Sequence, residues 1–287
     1  MRLTNAYRLP QPIYDAVKND PYSKGDADYS VTGLLKPAQI SALEEKHSDA
    51  IVEDVVDRIY SLLGQVVHGI LERAESTAIA EERLYMELMG KRISGQMDRI
   101  VYHEGLLQDY KFISVKKVQN GAPEEFIQQL NFYAELMQRN DYYVDQLELV
   151  CILRDWQRYR AKSDESYPTH QVMVIQVPRW PRQKVIDSMV ERLRVHEQAK
   201  AALANGLALP ECTDEERWLS PSGWAIRKPE GKRAFAKGSS DEALAVLQAS
   251  GGVPAGSVII RSAPRYRRCE EFCRVAEFCE QWKRTRG

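Results

Sequence analysis

The chain has 287 residues, 44% of them hydrophobic and 28% charged, a composition that excludes disordered, collagen-like and coiled-coil proteins. No apolar run approaches the roughly 18 residues of a membrane span, and the first residues have no signal-peptide core, so we expect a cytoplasmic protein without membrane contact. The net charge of −1 hides an asymmetry. Residues 226–287 carry 13 Lys or Arg against 7 Asp or Glu, a net charge of +6 that leaves −7 for the first 225 residues.

The first 205 residues alternate predicted helices and strands, which indicates one α/β domain. Helices are expected over Pro37–Lys46, over Ile51–Glu75 with Asp49 as its N-cap, over Glu124–Arg139 and over Pro181–Asn205. Strands are expected over Leu84–Met89, Ile93–Tyr102, Leu106–Ser114, Tyr143–Leu153 and His170–Val177. Residues 206–287 differ in kind, because a turn-rich stretch over 209–256 leads into a basic end that contains cysteines. We therefore expect two domains, 1–205 and 206–287.

The hairpin around residues 95–111 carries the chemistry. Asp109 and Lys111 are two apart on one predicted strand, so their side chains share a face. A two-residue loop at His103 and Glu104 would put Asp98 directly opposite Asp109, whereas a three-residue loop would separate them unless a bulge at Gly105 restored the register. Two close carboxylates repel, and the pair makes sense if a divalent cation sits between them.

Three further residues strengthen this interpretation. His68 lies on the long predicted helix before the hairpin and is a candidate third metal ligand. Gln129 and Tyr133 lie on the helix after the hairpin, on one face by their i,i+4 spacing. Each feature alone is also common on ordinary protein surfaces, but the order helix–strand–strand–helix would bring them to one edge of the fold.

In order and approximate spacing, His68, Asp98, Asp109-Tyr-Lys111 and Gln129-x-x-x-Tyr133 match the motifs of RecB-like nucleases of the PD-(D/E)XK superfamily. The chain resembles phage-encoded and CRISPR-adaptation members of that group over about residues 29–205, and the segment Ser30–Leu34 resembles the one that opens their domain. The resemblance implies a restriction-endonuclease-like α/β core, in which helices flank a central mixed sheet, followed by a small Cys-rich module.

The resemblance also implies roles for these residues. His68, Asp98 and Asp109 would bind Mg²⁺ or Mn²⁺ together with the Phe112 backbone or water, and Lys111 would be catalytic. Gln129 and Tyr133 would contact the DNA or support Lys111. Such enzymes hydrolyse phosphodiesters with metal-activated water, which agrees with the stability of that bond.

Four cysteines form a separate candidate site. Cys269, Cys273 and Cys279 lie within eleven residues, and Cys212 lies upstream. Four thiolates suit either tetrahedral zinc or an iron–sulfur cluster. The resemblance favours a four-iron four-sulfur cluster, with zinc as the alternative, although the related pattern has an N-terminal first cysteine and a shorter first gap in the trio. Cys151 falls in an apolar strand and is expected in the core.

The leading functional prediction is a metal-dependent deoxyribonuclease, and more specifically an exonuclease in DNA recombination, repair or end processing, in a bacterial or phage-infected cell. A DNA-binding accessory protein with a vestigial site and a restriction-type endonuclease are the alternatives. The expected partners are DNA and a single-strand annealing or recombinase protein, with the oligomeric state left open. Basic and aromatic residues of the C-terminal end suit phosphate contact and base stacking; they are Arg265, Tyr266, Arg267, Arg268, Trp282, Lys283, Arg284 and Arg286.

Overall fold

A computed structural model describes residues 2–20, 23–74 and 79–286 of the chain, with residues 79–82 described by their backbone alone. The chain divides into two compact units, Met1–Pro210 and Glu211–Gly287. The domain boundary expected from the sequence lies between residues 205 and 206, just before this division.

The first unit is a mixed α/β structure. Its strands are β1 (Arg2–Thr4), β2 (Tyr29–Ser30), β3 (Val52–Asp54), β4 (Ile79–Leu88), β5 (Lys91–Val101), β6 (Leu106–Ile113), β7 (Gln146–Leu153) and β8 (Val172–Val177). Its helices are α1 (Gln11–Lys18), α2 (Val31–Leu35), α3 (Ala38–Lys46), α4 (Ile59–Ala74), α5 (Val115–Val118), α6 (Glu124–Arg139), α7 (Arg158–Ser163) and α8 (Arg182–Ala204).

A six-stranded mixed sheet forms the centre of this unit. The strand order is β2-β5-β6-β7-β8, and β4 pairs with the other edge of β5. Strands β2 and β5 are parallel, as are β6 and β7, whereas β4–β5, β5–β6 and β7–β8 are antiparallel. Helices flank the sheet, as expected: α6 packs on β4 to β7 and on α8, and α4 contacts β5 and β6.

Helix α6 supplies much of the core. It starts directly after Pro123, with Glu124 and Glu125 in its first turn and Arg139 in its last, an arrangement that the helix dipole favours. Its buried side chains meet those of the sheet in one apolar cluster that includes Leu130, Phe132, Leu136, Met137, Ile93, Met97, Ile100, Leu107 and Leu149. Gly95 permits the close approach, because a Cβ there would lie 2.9 Å from Tyr133 and Leu136 atoms.

The predicted helix over residues 51–75 is wrong at its start. Residues 52–54 form β3, which pairs in parallel with β1, and Val55–Arg58 form a 3₁₀ turn before α4 begins. Asp54 rather than Asp49 caps this turn, and its carboxylate accepts the N–H groups of Val56 and Ala6. Glu75, the expected last residue, lies outside the described residues.

The second unit contains β9 (Leu219–Ser220), β10 (Gly223–Arg227), β11 (Ala234–Gly238), α9 (Asp241–Ala249), β12 (Val258–Ser262), β13 (Arg265–Tyr266) and α10 (Glu280–Arg286). Strands β11, β10 and β12 form an antiparallel sheet in that order, and β9 pairs with β13. The turn-rich stretch therefore has a small core of its own, built from Trp224, Ile226 and Leu244. Among the described residues of the chain, no helix is long and apolar enough to cross a membrane.

Candidate active site

The β5–β6 hairpin sets the position of the two aspartates. Arg99 pairs with Gln108 and Val101 with Leu106, so the loop runs from Tyr102 to Gly105, where φ is +61°. The loop is longer than the two or three residues expected, but it keeps the register in which Asp98 would stand opposite Asp109. The backbone pairing of β5 with β6 ends at Arg99. Beyond it, the Asp98 side chain replaces a backbone acceptor, and its Oδ2 atom accepts a hydrogen bond from the Tyr110 N–H at 2.7 Å.

Asp109 and Lys111 form a buried ion pair. Alternation along β6 directs both side chains towards α6, and Asp109 is only 2% exposed. The Lys111 Nζ atom lies against Asp109 Oδ2, which accepts no other hydrogen bond among the described residues. Gln129 Nε2 donates to the second oxygen, Asp109 Oδ1, at 3.1 Å.

Burial and charge shift the titration of this pair. Burial raises the pKa of Asp109 to about 6, Lys111 opposes the rise and Asp98 adds to it. The pKa of Lys111 lies above its usual value: burial alone would lower it, but the carboxylates of Asp109 and Asp98 outweigh burial. Lys111 is therefore a cation at neutral pH, and Asp109 changes charge just below neutrality.

His68 approaches the site from α4. Its Nδ1 atom lies 3.3 Å from Asp98 Oδ1, and its ring makes an edge contact with Tyr110, with centroids 6.3 Å apart. Tyr110 faces away from Asp109 because side chains alternate along a strand. His68 and Asp98 thus meet on the α4 side of β6, and a protonated His68 would also favour the ionised form of Asp109.

Gln129 and Tyr133 are both buried on α6. Gln129 Nε2 lies 3.2 Å from the Tyr133 hydroxyl as well as donating to Asp109. This geometry links the helix pair to the carboxylate of Asp109. The expected roles of Gln129 and Tyr133, contact with DNA or support of Lys111, stay predictions.

Two neighbours of the site carry no sequence motif. The Lys111 ammonium lies 5.4 Å from the centroid of the Phe126 ring, and Phe126 shares the α6 face of Gln129 by i,i+3 spacing. That helical spacing is the signal that could have found Phe126. Cys151 pairs with Lys111 across β6 and β7 and is fully buried, a core residue as expected. Phe112 follows on β6 opposite Ile152, and its role as a backbone metal ligand stays a prediction.

The donor chemistry of the site fits a hard divalent cation. Asp98 and Asp109 offer carboxylates, His68 lies beside Asp98, and one carboxylate oxygen, Asp109 Oδ2, is buried with Lys111 as its partner. Among the described residues, however, no three His, Cys, Asp or Glu side chains are already grouped as a metal site. This set therefore suits an ion that keeps several waters and uses one or two carboxylates, as Mg²⁺ does.

The four cysteines of the C-terminal unit influence one another. Cys269 lies in a π-helical turn, Cys273 directly follows it, and Cys279 precedes α10. Burial, Glu216 and then the three other cysteines raise the pKa of Cys212 to about 12. Burial, Cys269 and Cys279 likewise raise the pKa of Cys273.

The α10 helix holds Cys212 in place. The Gln281 side chain accepts the Cys212 N–H at 3.0 Å and donates to the Cys212 carbonyl at 2.9 Å. The Trp282 N–H points to the sulfur of Cys279 at 3.4 Å. The soft sulfur donors fit zinc or an iron–sulfur cluster in chemistry, and their identity as ligands stays a prediction.

Three solved structures resemble this fold at low identity. SSO0001 matches 70% of this chain and 96% of its own, with 14% identity and a TM-score of 0.46. A phage-related exonuclease from Haemophilus somnus 129PT matches 69% of this chain and 82% of its own, with 15% identity and a TM-score of 0.32. A candidate exonuclease from Eubacterium rectale matches 66% of this chain and 65% of its own, with 12% identity and a TM-score of 0.31.

No protein-family model matches the chain, and no curated protein matches it. The likenesses to solved structures, all with TM-scores below 0.5, carry no argument about activity. The class that the fold and the site define is a mixed α/β protein with helices on both faces of a central sheet and a buried aspartate–lysine pair on its middle strand. Membership of the PD-(D/E)XK superfamily stays a prediction.

Proposed function

We propose that the chain is a divalent-metal-dependent deoxyribonuclease, and specifically an exonuclease of the RecB-like PD-(D/E)XK type. The observation that carries the proposal is the buried Asp109–Lys111 pair with Asp98 and His68 beside it. Two pairs support it, Lys111 with Asp109 and His68 with Asp98, and Asp98 and His68 both act on the charge of Asp109 although the four residues span 43 positions of the sequence.

Each residue has a distinct task in this proposal. Asp98 and Asp109 would hold Mg²⁺ or Mn²⁺, with His68 beside Asp98 and the Phe112 carbonyl completing the predicted set. The ion, when bound, would supply a water of lowered pKa and neutralise phosphate charge. Lys111 brings a fixed positive charge to the oxygen that becomes negative as water attacks phosphorus.

Gln129 and Tyr133 act on the site indirectly. The Gln129 amide holds one oxygen of Asp109, and Tyr133 in turn contacts that amide. Their contribution is to orient the Asp109 carboxylate towards Lys111 and the cation. Lys111 and a bound cation would share the Asp109 carboxylate.

The cysteine cluster is proposed to hold a four-iron four-sulfur cluster, or zinc as the alternative. Either would bind the sulfurs of Cys212, Cys269, Cys273 and Cys279 as thiolates. Because the pKa values of Cys212 and Cys273 are raised, these thiols stay protonated without metal, and binding would release their protons. Anaerobically purified protein should be brown with broad absorption near about 400 nm for iron–sulfur, and colourless with stoichiometric zinc otherwise.

One experiment tests the activity and separates the alternatives. Purified protein is incubated with linear DNA labelled at the 5′ or 3′ end, and with closed circular DNA of the same sequence, with Mg²⁺, Mn²⁺ or EDTA. Metal-dependent loss of linear DNA alone supports an exonuclease. Cutting of the closed circle would favour a restriction-type endonuclease, and binding without cutting would favour an accessory protein with a vestigial site.

Lys111→Met provides the matched control for that experiment. It removes the ammonium but keeps most of the apolar stem, so the fold should persist while cleavage is lost. Near-wild-type cleavage by this variant would refute the assignment of the site even if the protein proved to be a nuclease.

A further inference from the structure

Within the described residues of the C-terminal unit, one face of the three-stranded sheet packs against α9. Trp224 and Ile226 of β10 pack with Leu244 of α9, and Ala236 and Ile259 join that cluster. Side chains alternate along each strand, so the intervening residues point away from α9. We call this second surface the open face; its members are Ala225, Arg227, Phe235, Lys237, Val258 and Ile260.

The open face combines an aromatic ring with aliphatic neighbours. Phe235 is 47% exposed, Ile260 45% and Val258 36%. The β10–β11 register shifts between Ile226, which pairs with Ala236, and Arg227, which pairs with Ala234, so Phe235 is the extra residue of a β-bulge. Bulges re-aim side chains and occur next to functional sites.

The hairpin that borders the open face is strongly cationic. Residues 226–238 contain five Lys or Arg and one acidic residue, Glu230, a net charge of +4. The five cations are Arg227, Lys228, Lys232, Arg233 and Lys237. Within the described part of the chain none of them forms an ion pair, whereas Arg261 on the α9 side of the same sheet pairs with Asp241.

Arg227 illustrates this lack of compensation. Its Nη1 atom donates to the Gly231 carbonyl at 3.0 Å, and its buried Nε atom has no hydrogen-bond partner among the described residues. No carboxylate of that part of the chain balances this guanidinium. The charge of the hairpin is therefore available to an external polyanion. A nucleic acid is a polyanion that also carries bases, and these can stack on an exposed aromatic ring.

We propose that the open face binds a single-stranded segment of DNA, with a base stacked on Phe235 and the backbone phosphates along the hairpin cations. Sheets that expose aromatic side chains among Lys and Arg bind unpaired strands in this way, because every base has a stacking face. A duplex keeps its bases stacked on one another, so it gains the phosphate contacts but not the ring. The inference deepens the proposed function, on which the choice of DNA rests.

The test measures binding separately from cleavage. Fluorescence anisotropy of labelled oligo(dT) and of a duplex of equal length is recorded with the full chain in EDTA, across a salt series. Phe235→Ala should weaken oligo(dT) binding about tenfold and duplex binding less than about twofold. Val246→Ala is the matched control, since Val246 is exposed on α9 and should change neither affinity.

The cations are tested through the salt dependence. Lys232→Gln combined with Arg233→Gln should weaken the binding of both DNAs and lower the slope of log affinity against log salt by about 0.7 per charge for the single strand. Arg261→Gln removes one positive charge from an ion pair on the other side of the sheet and should leave the slope within error.

Two results would overturn the inference. One is unchanged oligo(dT) affinity in Phe235→Ala with native circular dichroism and melting. The other is no salt-dependent binding of oligo(dT) by the wild-type chain, which would turn the open face towards a protein partner. Neither depends on cleavage: a protein that binds as expected but never cuts DNA would refute the proposed nuclease alone.

Discussion

Replacing Asp109 with Asn removes a charge that its surroundings make costly. Burial raises the pKa of Asp109 from 3.8 to about 6, even with Lys111 opposing the rise. At about 1.4 kcal/mol per pH unit, this difference corresponds to about 3 kcal/mol. The ionised carboxylate therefore lowers the free energy of unfolding by about 3 kcal/mol relative to its protonated form.

The sign follows from the order of the two pKa values. Below pH 3.8, the reference value, Asp109 is protonated in both states and costs nothing. As the pH rises towards about 6, the unfolded chain loses its proton first, so stability falls, and above that pH the full loss persists. Asn carries no proton to lose, so the stability of Asp109→Asn relative to wild type should rise by about 2 kcal/mol between about pH 4.5 and pH 7.

Urea unfolding in EDTA, followed by circular dichroism at several pH values, measures this difference directly. Subtracting the two proteins cancels the titrating groups that do not interact with Asp109, whereas Lys111, Asp98 and His68 are coupled to it. Adding Mg²⁺ at pH 7 should then stabilise the wild type, by about 1.4 kcal/mol at ten times its dissociation constant, and leave Asp109→Asn unchanged. A stability difference that is flat across this pH range, or equal stabilisation of both proteins by Mg²⁺, would refute the reasoning.

Four other substitutions test separate parts of the chain. Glu135→Gln should behave oppositely to Asp109→Asn, because burial alone would raise the pKa of Glu135 but Arg182 and Arg139 outweigh burial and lower it. In urea unfolding, the variant should be less stable than wild type by about 2 kcal/mol at neutral pH. This deficit should shrink in acid, and a deficit that is constant with pH would contradict the reasoning. His68→Ala should raise the Mg²⁺ concentration needed for half-maximal cleavage more than it weakens DNA binding; an unchanged metal titration would make His68 structural. Gln129→Leu should slow cleavage because it releases Asp109 Oδ1, and single-turnover rates equal to wild type would exclude the positioning role. Cys273→Ser should release metal, which elemental analysis measures, and should make residues from about 209 onward sensitive to limited proteolysis. If wild-type protein contains no metal and has four reactive thiols, the cysteines are packing residues.

Much of the site could be predicted from sequence because its signals are local. Alternation on β6 places Asp109 and Lys111 on one face whatever the rest of the chain does, and the i,i+4 spacing on α6 does the same for Gln129 and Tyr133. Pro123 marks the start of α6 because its ring fixes φ and its missing N–H is not needed there. Only the hairpin register was open, since it depends on how the loop at Gly105 closes.

Other features depend on residues far away in sequence, and sequence patterns alone could not supply them. Residues 52–54 pair with Arg2–Thr4, fifty positions earlier, so a segment with helical periodicity became a strand. The small sheet of the C-terminal unit has a weak sequence signal because two of its short strands, Gly223–Arg227 and Ala234–Gly238, are rich in glycine and alanine. Both residue types are depleted in strands.

The sequence by itself determined which side chains share a face, because that follows from the helical and strand periods alone. The tertiary structure decided their environment. Asp109 is costly to ionise because α6 covers it, Gln129 holds its carboxylate rather than facing substrate, and His68 meets Asp98 because α4 packs against β5 and β6. Burial and long-range contacts are properties of the packed chain, and they set the pKa of Asp109 and the exposure of Phe235.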